Sequence, residues 1–156
     1  MHLPCISKAQ PAQAEAISRV ISDLARYFVP EPDDADTRSF YASIAPDSIA
    51  ECIASPAFSY YVASTETSLH GVIALRDGKH VHHLFVPSQF QGRGTARALW
   101  AHAKQQARAI ETVARFTVNS SVHAVPVYQR LGFDREGAPA KKNGVCFVPM
   151  AYTRAN

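Results

Sequence analysis

Three histidines stand close together in GKHVHHLFV, residues 78–86, and a glycine turn follows in QGRGTA, residues 91–96. An imidazole, with an ordinary pKa of about 6.5, can take a proton from an incoming nucleophile or ligate a metal. Alternation along an extended chain puts His80 and His82 on one face and His83 on the other. A zinc site would want a third ligand, and no Cys, Asp or Glu partner is evident from spacing, so no metal is expected. The glycines let backbone approach a ligand closely, and a helix opening there offers N–H groups to an anion. That physics points to a ligand carrying phosphate. The loop lacks the Gly-Lys-Ser/Thr ending of a Walker P-loop, and Arg97 replaces the third small residue of a dinucleotide fingerprint. A tight strand-to-helix turn with no ligand would satisfy the glycines as well.

The elements that must position these residues are read from periodicity. Residues 2–8 read as a strand. Over 12–28, Ile17, Ile21, Leu24, Ala25 and Phe28 share one helical face, and Pro30 and Pro32 end it. Residues 30–40 read as a loop carrying Glu31, Asp33, Asp34 and Asp36. A short helix is expected over 46–54, with Pro46 near its start. Strands follow at 57–64 and 69–76, and an Asp-Gly turn leads into a third at 80–86. Residues 94–110 form a helix with Ala96, Leu99, Ala103 and Ile110 on one side. A strand over 113–119 and a helix over 122–132, stopped by Gly132, come next. Two strands, 133–139 and 144–153, close the chain. The order β-α-α-β-β-β-α-β-α-β-β implies an α/β domain whose mixed, largely antiparallel sheet is flanked by helices.

At 156 residues the chain reads as one domain, 1–156, long enough to bury a core. The formal charge is only +3, with no dominating basic cluster, so nucleic acid is not an expected partner. No apolar run approaches a membrane span, and the first ten residues lack a signal core. Cys5, Cys52 and Cys146 are far apart and odd in number, which suits buried free thiols in a reducing, cytoplasmic setting.

LFVPSQFQGRGTARAL resembles the acetyl-CoA-binding motif of the GNAT N-acetyltransferases, Gln/Arg-x-x-Gly-x-Gly/Ala. Gln91, Gly94 and Ala96 fill it, with Gly92 and Arg93 between. VNSSVHAVPVYQRLGF is similar to the family's second stretch at Asn119, Tyr128 and Leu131-Gly132-Phe133. Thr95 stands where a branched apolar residue is common, and Ala96 where glycine is more usual.

The resemblance implies acetyl-CoA as cofactor and coenzyme A as product. Free backbone groups of Leu84, Phe85 and Val86 would bond the pantetheine arm as an added strand does. The amides of Gln91, Gly92, Arg93, Gly94, Thr95 and Ala96 would hold the pyrophosphate. Arg93 and Arg97 would add positive charge, and Asn119 would contact the pantetheine. Tyr128 matches the general acid that protonates the departing thiolate. Position 80 matches the catalytic glutamate of histone acetyltransferases. Positions 80 and 82 together are similar to the paired histidines of serotonin N-acetyltransferase. His82 is therefore expected as the base, with His80 as a relay; His83 is given no role.

The acceptor is expected to be a primary amine of a small molecule, bordered by Phe28, the acidic run at 31–36, Tyr41 and one of Tyr60 and Tyr61. The alternatives are a protein acetyltransferase, acting on a lysine or an N-terminus, and a non-catalytic acyl-CoA-binding module. Members of the family are often dimers, so a homodimer is expected.

Overall fold

A computed structural model describes residues 3–29, 35–142 and 145–154, apart from the side chains of Arg26 and Asp36. Its elements are β1 (Cys5–Lys8), α1 (Ala14–Leu24), α2 (Ala35–Ser43), α3 (Pro46–Ala54), β2 (Phe58–Ser64), β3 (Leu69–Arg76) and β4 (His80–Phe85). There follow α4 (Thr95–Ile110), β5 (Phe116–Ser120), α5 (Val125–Arg130), β6 (Asp134–Arg135), β7 (Ala140–Lys142) and β8 (Val145–Tyr152). The sheet order is β1-β2-β3-β4-β5-β8-β6, with β7 paired to β8. Every pairing is antiparallel except β4 with β5. The mixed, largely antiparallel sheet flanked by helices is thus the architecture expected from the element order.

Two apolar layers cover the sheet. On one face, Ile17 and Ile21 of α1 and Ile49 of α3 pack against Tyr60, Val62, Val72 and Ala74. On the other, Leu99, Trp100 and Ala103 of α4 pack against Ile73, Leu75, Val81, Phe116, Val118 and Met150. α1 buries its residues at helical spacing, and a 3-10 turn at Pro11–Gln13 leads into it. There the backbone N–H of Gln10 donates to Oε1 of Gln13 at 2.8 Å. Gly71 stands where α4 lies close to β3, since a Cβ there would meet Leu99 Cδ1 at 2.9 Å.

Three expectations are corrected. The segment read as a loop over 30–40 contains the start of α2, since residues 35–43 are helical. Thr37, Phe40, Tyr41 and Ile44 stand at i, i+3, i+4 and i+7, and Thr37, only 2% exposed, supplies the polar member that broke the apolar pattern. Ile110, the last residue of α4, is 84% exposed; Trp100 and Ala107 are buried instead. His83 does not face the layer opposite His82. The β3–β4 register runs Ala74↔His83 and then Leu75↔Val81, so His82 is the extra residue of a β-bulge. A bulge adds one residue to one strand and shifts all that follow, so both rings emerge on the α1–α3 face. Their centroids lie 4.2 Å apart.

Candidate active site

β4 and β5 pair only at His80↔Thr117 and Val81↔Val118. Beyond those two pairs the strands part, and the sheet opens into a slot. A cavity of about 460 Å³ fills it. One side is the edge of β4, through Leu84, Phe85 and Val86; another is the glycine turn and the first residues of α4. The opposing wall is Ser121, His123, Ala124, Val127 and Tyr128, and Leu24, Tyr27 and Phe28 border it at the end of α1.

The glycine turn is built for approach. Gly92 has φ 76° and Gly94 has φ 82°, in the left-handed region that glycine enters without strain. A Cβ on either would meet nothing within 4 Å, so backbone conformation and not crowding selects glycine. Gly94 caps α4 with no side-chain hydrogen bond, and the first-turn residues Thr95, Ala96 and Arg97 line the cavity. The positive end of a sixteen-residue helix therefore faces this space. Arg97 and Arg130 line it too, with no carboxylate among the described lining residues. These features fit a long phosphate-bearing ligand lying along an unpaired strand edge.

Tyr128 is set by the end of α5. Gly132, at φ 102°, takes the left-handed conformation that ends the helix. The N–H of Phe133 donates to the Tyr128 carbonyl at 3.0 Å, and that of Gly132 donates to Gln129 at 3.0 Å. This pair of bonds is a Schellman cap, and its usual apolar contact joins Phe133 to Tyr128, with ring centroids 5.5 Å apart. The phenol is 7% exposed and borders the cavity. Burial raises its pKa above the ordinary tyrosine range, so it stays protonated at neutral pH, as a proton donor must be.

The histidine cluster stands behind this cavity. His80 Nδ1 lies 2.7 Å from Thr117 Oγ1, across the last β4–β5 pairs. His82 packs on Phe58, with centroids 5.0 Å apart, and on His83. His83 Nδ1 lies 3.2 Å from the Tyr60 hydroxyl, and its ring meets Phe85, which lines the cavity. Burial, then the Arg76 guanidinium and His80, pushes the His82 imidazole down to about 4. His80 is lowered by burial and then Arg76, and His83 well below its usual value by burial and then His82. No group of three or more His, Cys, Asp or Glu able to hold a metal occurs among the described residues.

The cavity thus gathers Tyr128 with Leu84, Phe85, Val86, Gln91, Gly92, Gly94, Thr95, Ala96 and Arg97. His80, His82, Arg93 and Asn119 are not in its lining. Arg93 lies over the Phe90 ring, 5.6 Å from its centroid, and Phe90 does line the cavity. Asn119 is exposed on β5. The Val86 carbonyl accepts a hydrogen bond from Gln91 Nε2 at 2.9 Å. On the acceptor side Phe28 lines the cavity and Tyr41 does not. Glu31, Asp33, Asp34 and the Asp36 side chain lie outside the described residues. Tyr60 faces the histidines, whereas Tyr61 turns to the α4 layer and meets His102.

Sequence reasoning missed His123, Arg130 and Thr117. Arg130 and His123 carried a signal, standing two residues after and five before Tyr128 in the same matched stretch. Thr117 needed the β4–β5 pairing.

Comparison with known proteins agrees with this geometry. A family model described as "Acetyltransferase (GNAT) domain" matches residues 28–154. No protein of curated function matches. The chain is similar in structure to a GCN5-related N-acetyltransferase from Rhodopseudomonas palustris, at 18% identity and TM-score 0.79, covering 99% of this chain and 98% of that one. It is similar to the PaiA N-acetyltransferase from Thermoplasma acidophilum in complex with coenzyme A, at 13% identity and TM-score 0.82, covering 99% and 100%. An aminoglycoside 6'-N-acetyltransferase complexed with coenzyme A follows at 15% identity and TM-score 0.70, covering 97% and 99%. Over most of its length, from before α2 to past β8, the chain belongs to the GNAT acetyltransferase domain family.

Proposed function

We propose that this chain transfers the acetyl group of acetyl-CoA to a primary amine of a small molecule, by direct attack of the amine on the thioester. The observation that carries the reading is the slot between β4 and β5. One unpaired strand edge, the glycine turn, the α4 N-terminus and Tyr128 all border a single cavity. Leu84 and Phe85 would bond the pantetheine arm through backbone, and Val86 through its N–H, its carbonyl being engaged by Gln91. The amides from Gln91 to Ala96 would hold the pyrophosphate, with Arg97 and Arg130 adding charge.

The amine nitrogen bonds the carbonyl carbon, the carbon–sulfur bond breaks, and the thiolate takes a proton from Tyr128. The proton lost by the amine goes to His82, with His80 as relay. His82 is separated from the lining by the His83 and Phe85 rings, which favours passage through water over direct contact. A small acceptor fits a cavity of about 460 Å³ whose lining includes the Tyr27–His123 stack. Similarity to an aminoglycoside acetyltransferase supports the same class.

The test is thermal melting with acetyl-CoA, coenzyme A, ATP and NAD in separate samples. A ligand at 100 times its Kd stabilises by about 2.7 kcal/mol. At roughly 2–4 °C per kcal/mol, a shift is readily seen. The two coenzymes should shift the melt and the two nucleotides should not. A shift with ATP or NAD alone rejects the assignment; a shift with the coenzymes opens a screen of amines by thiol release.

A further inference from the structure

The β4 bulge delivers His83 to a buried polar chain. Its Nδ1 is 3.2 Å from the Tyr60 hydroxyl, and both residues are buried, at 8% and 2% exposure. Cys52 of α3 lies close enough to Tyr60 to raise the pKa of its hydroxyl. Burial and then Cys52 raise Tyr60, burial raises Cys52, and burial lowers His83, so all three are neutral near pH 7. The other titratable or charged groups acting on this chain and its neighbours are His82, His80 and Arg76 on the sheet and Glu51 on α3. Phe85 fills space beside the His83 ring.

A neutral imidazole donates at one nitrogen and accepts at the other. Tyr60 has one proton to give, and an imidazole nitrogen is a far better acceptor than a thiol. Tyr60 therefore donates its O–H to His83 Nδ1, which leaves the His83 proton on Nε2. We propose that Tyr60 and His83 are positioning residues for His82: Tyr60 locks His83 as the uncharged Nε2–H tautomer, and that fixed ring, 4.2 Å away, orients the His82 imidazole. The link to catalysis rests on the acetyl-transfer reading above; the tautomer does not.

The test compares wild type with Tyr60→Phe and Cys52→Ala. Imidazole nitrogen NMR between pH 5 and 8 reads the tautomer, and steady-state kinetics uses acetyl-CoA with an amine found by thiol release. Wild-type His83 should report a proton on Nε2 throughout. Tyr60→Phe should lose that fixed signature, move the His82 resonances and lower kcat about tenfold, with the KM for acetyl-CoA unchanged. Cys52→Ala should keep the tautomer and most of kcat. A wild-type proton on Nδ1 overturns the proposal. So does a Tyr60→Phe enzyme with unaltered kcat while His82→Ala is impaired, an outcome that leaves the base reading standing. If His82→Ala turns over normally, the base reading fails while the tautomer result is read independently; the positioning role then falls with it.

Discussion

The ring of Tyr27 lies stacked on that of His123, with centroids 4.9 Å apart and planes inclined by 14°. The pair joins the end of α1 to the loop before α5, and both rings line the cavity. Tyr27 is 44% exposed, so its truncation costs little packing. An aromatic pair is worth about 0.5–1.5 kcal/mol beyond burial. Tyr27→Ala should leave the melting temperature within a few degrees. The KM for the amine should rise several-fold with kcat nearly unchanged. Steady-state kinetics decides; an unaltered KM would remove the stack from acceptor binding.

Tyr128→Phe keeps the ring on Phe133 and deletes only the proton donor. General acid catalysis is worth about 10²–10⁴-fold. A fall of that order in kcat is expected, with the Kd for coenzyme A, measured by calorimetry, unchanged. Retained turnover would reduce Tyr128 to a packing residue.

Gly132→Ala attacks the same tyrosine through its cap. A side chain at φ 102° is strained, and its Cβ would sit 2.9 Å from Cε2 of Tyr152. The loss should exceed about 2 kcal/mol, or roughly 4–8 °C in melting temperature at this size. The melting curve checks it directly.

His82→Ala should slow the reaction most at low pH, where free amine is scarce and a proton acceptor matters most. With its pKa held down to about 4, wild-type His82 stays neutral across the working range. The ratio of wild-type to variant kcat/KM should therefore grow as pH falls from 9 to 6.5. Unaltered kcat/KM in the variant across that range would show that His82 takes no proton.

Acid should unfold the protein early. His80, His82 and His83 bind protons more weakly when folded than when unfolded. Below about 6.5 the unfolded chain therefore holds more protons, and stability falls as pH drops towards the folded values. For His82 alone, a move from about 6.5 to about 4 is worth roughly 3 kcal/mol. Urea unfolding at pH 7.0, 6.0 and 5.0 should give falling midpoints, and the fall should shrink in His82→Gln.

Much of this was legible in the chain itself. Helical spacing located α1 and α4, and the Asp-Gly turn located the β3–β4 hairpin. The glycine turn and Tyr128 meet in space as their two motifs implied. What escaped has a common cause, in that it depends on pairing between segments. Alternation assumes an unbroken ladder, so the bulge at His82 put His83 on the wrong face. Tyr60 gave no sign that it would reach His83, twenty-three residues away. α2 escaped because a buried Thr37 looks polar in a pattern count.

The two residue pairs joining β4 to β5 leave the sheet nearly cut in two. A bound ligand that lies along the β4 edge would do the work of an absent strand, and so would fasten one half of the protein to the other. Without it, the amides of residues 84–86 on that edge should exchange with deuterium quickly; once coenzyme A binds, they should slow markedly. The cofactor would then be a structural cross-link as well as a reactant, renewed at every turnover.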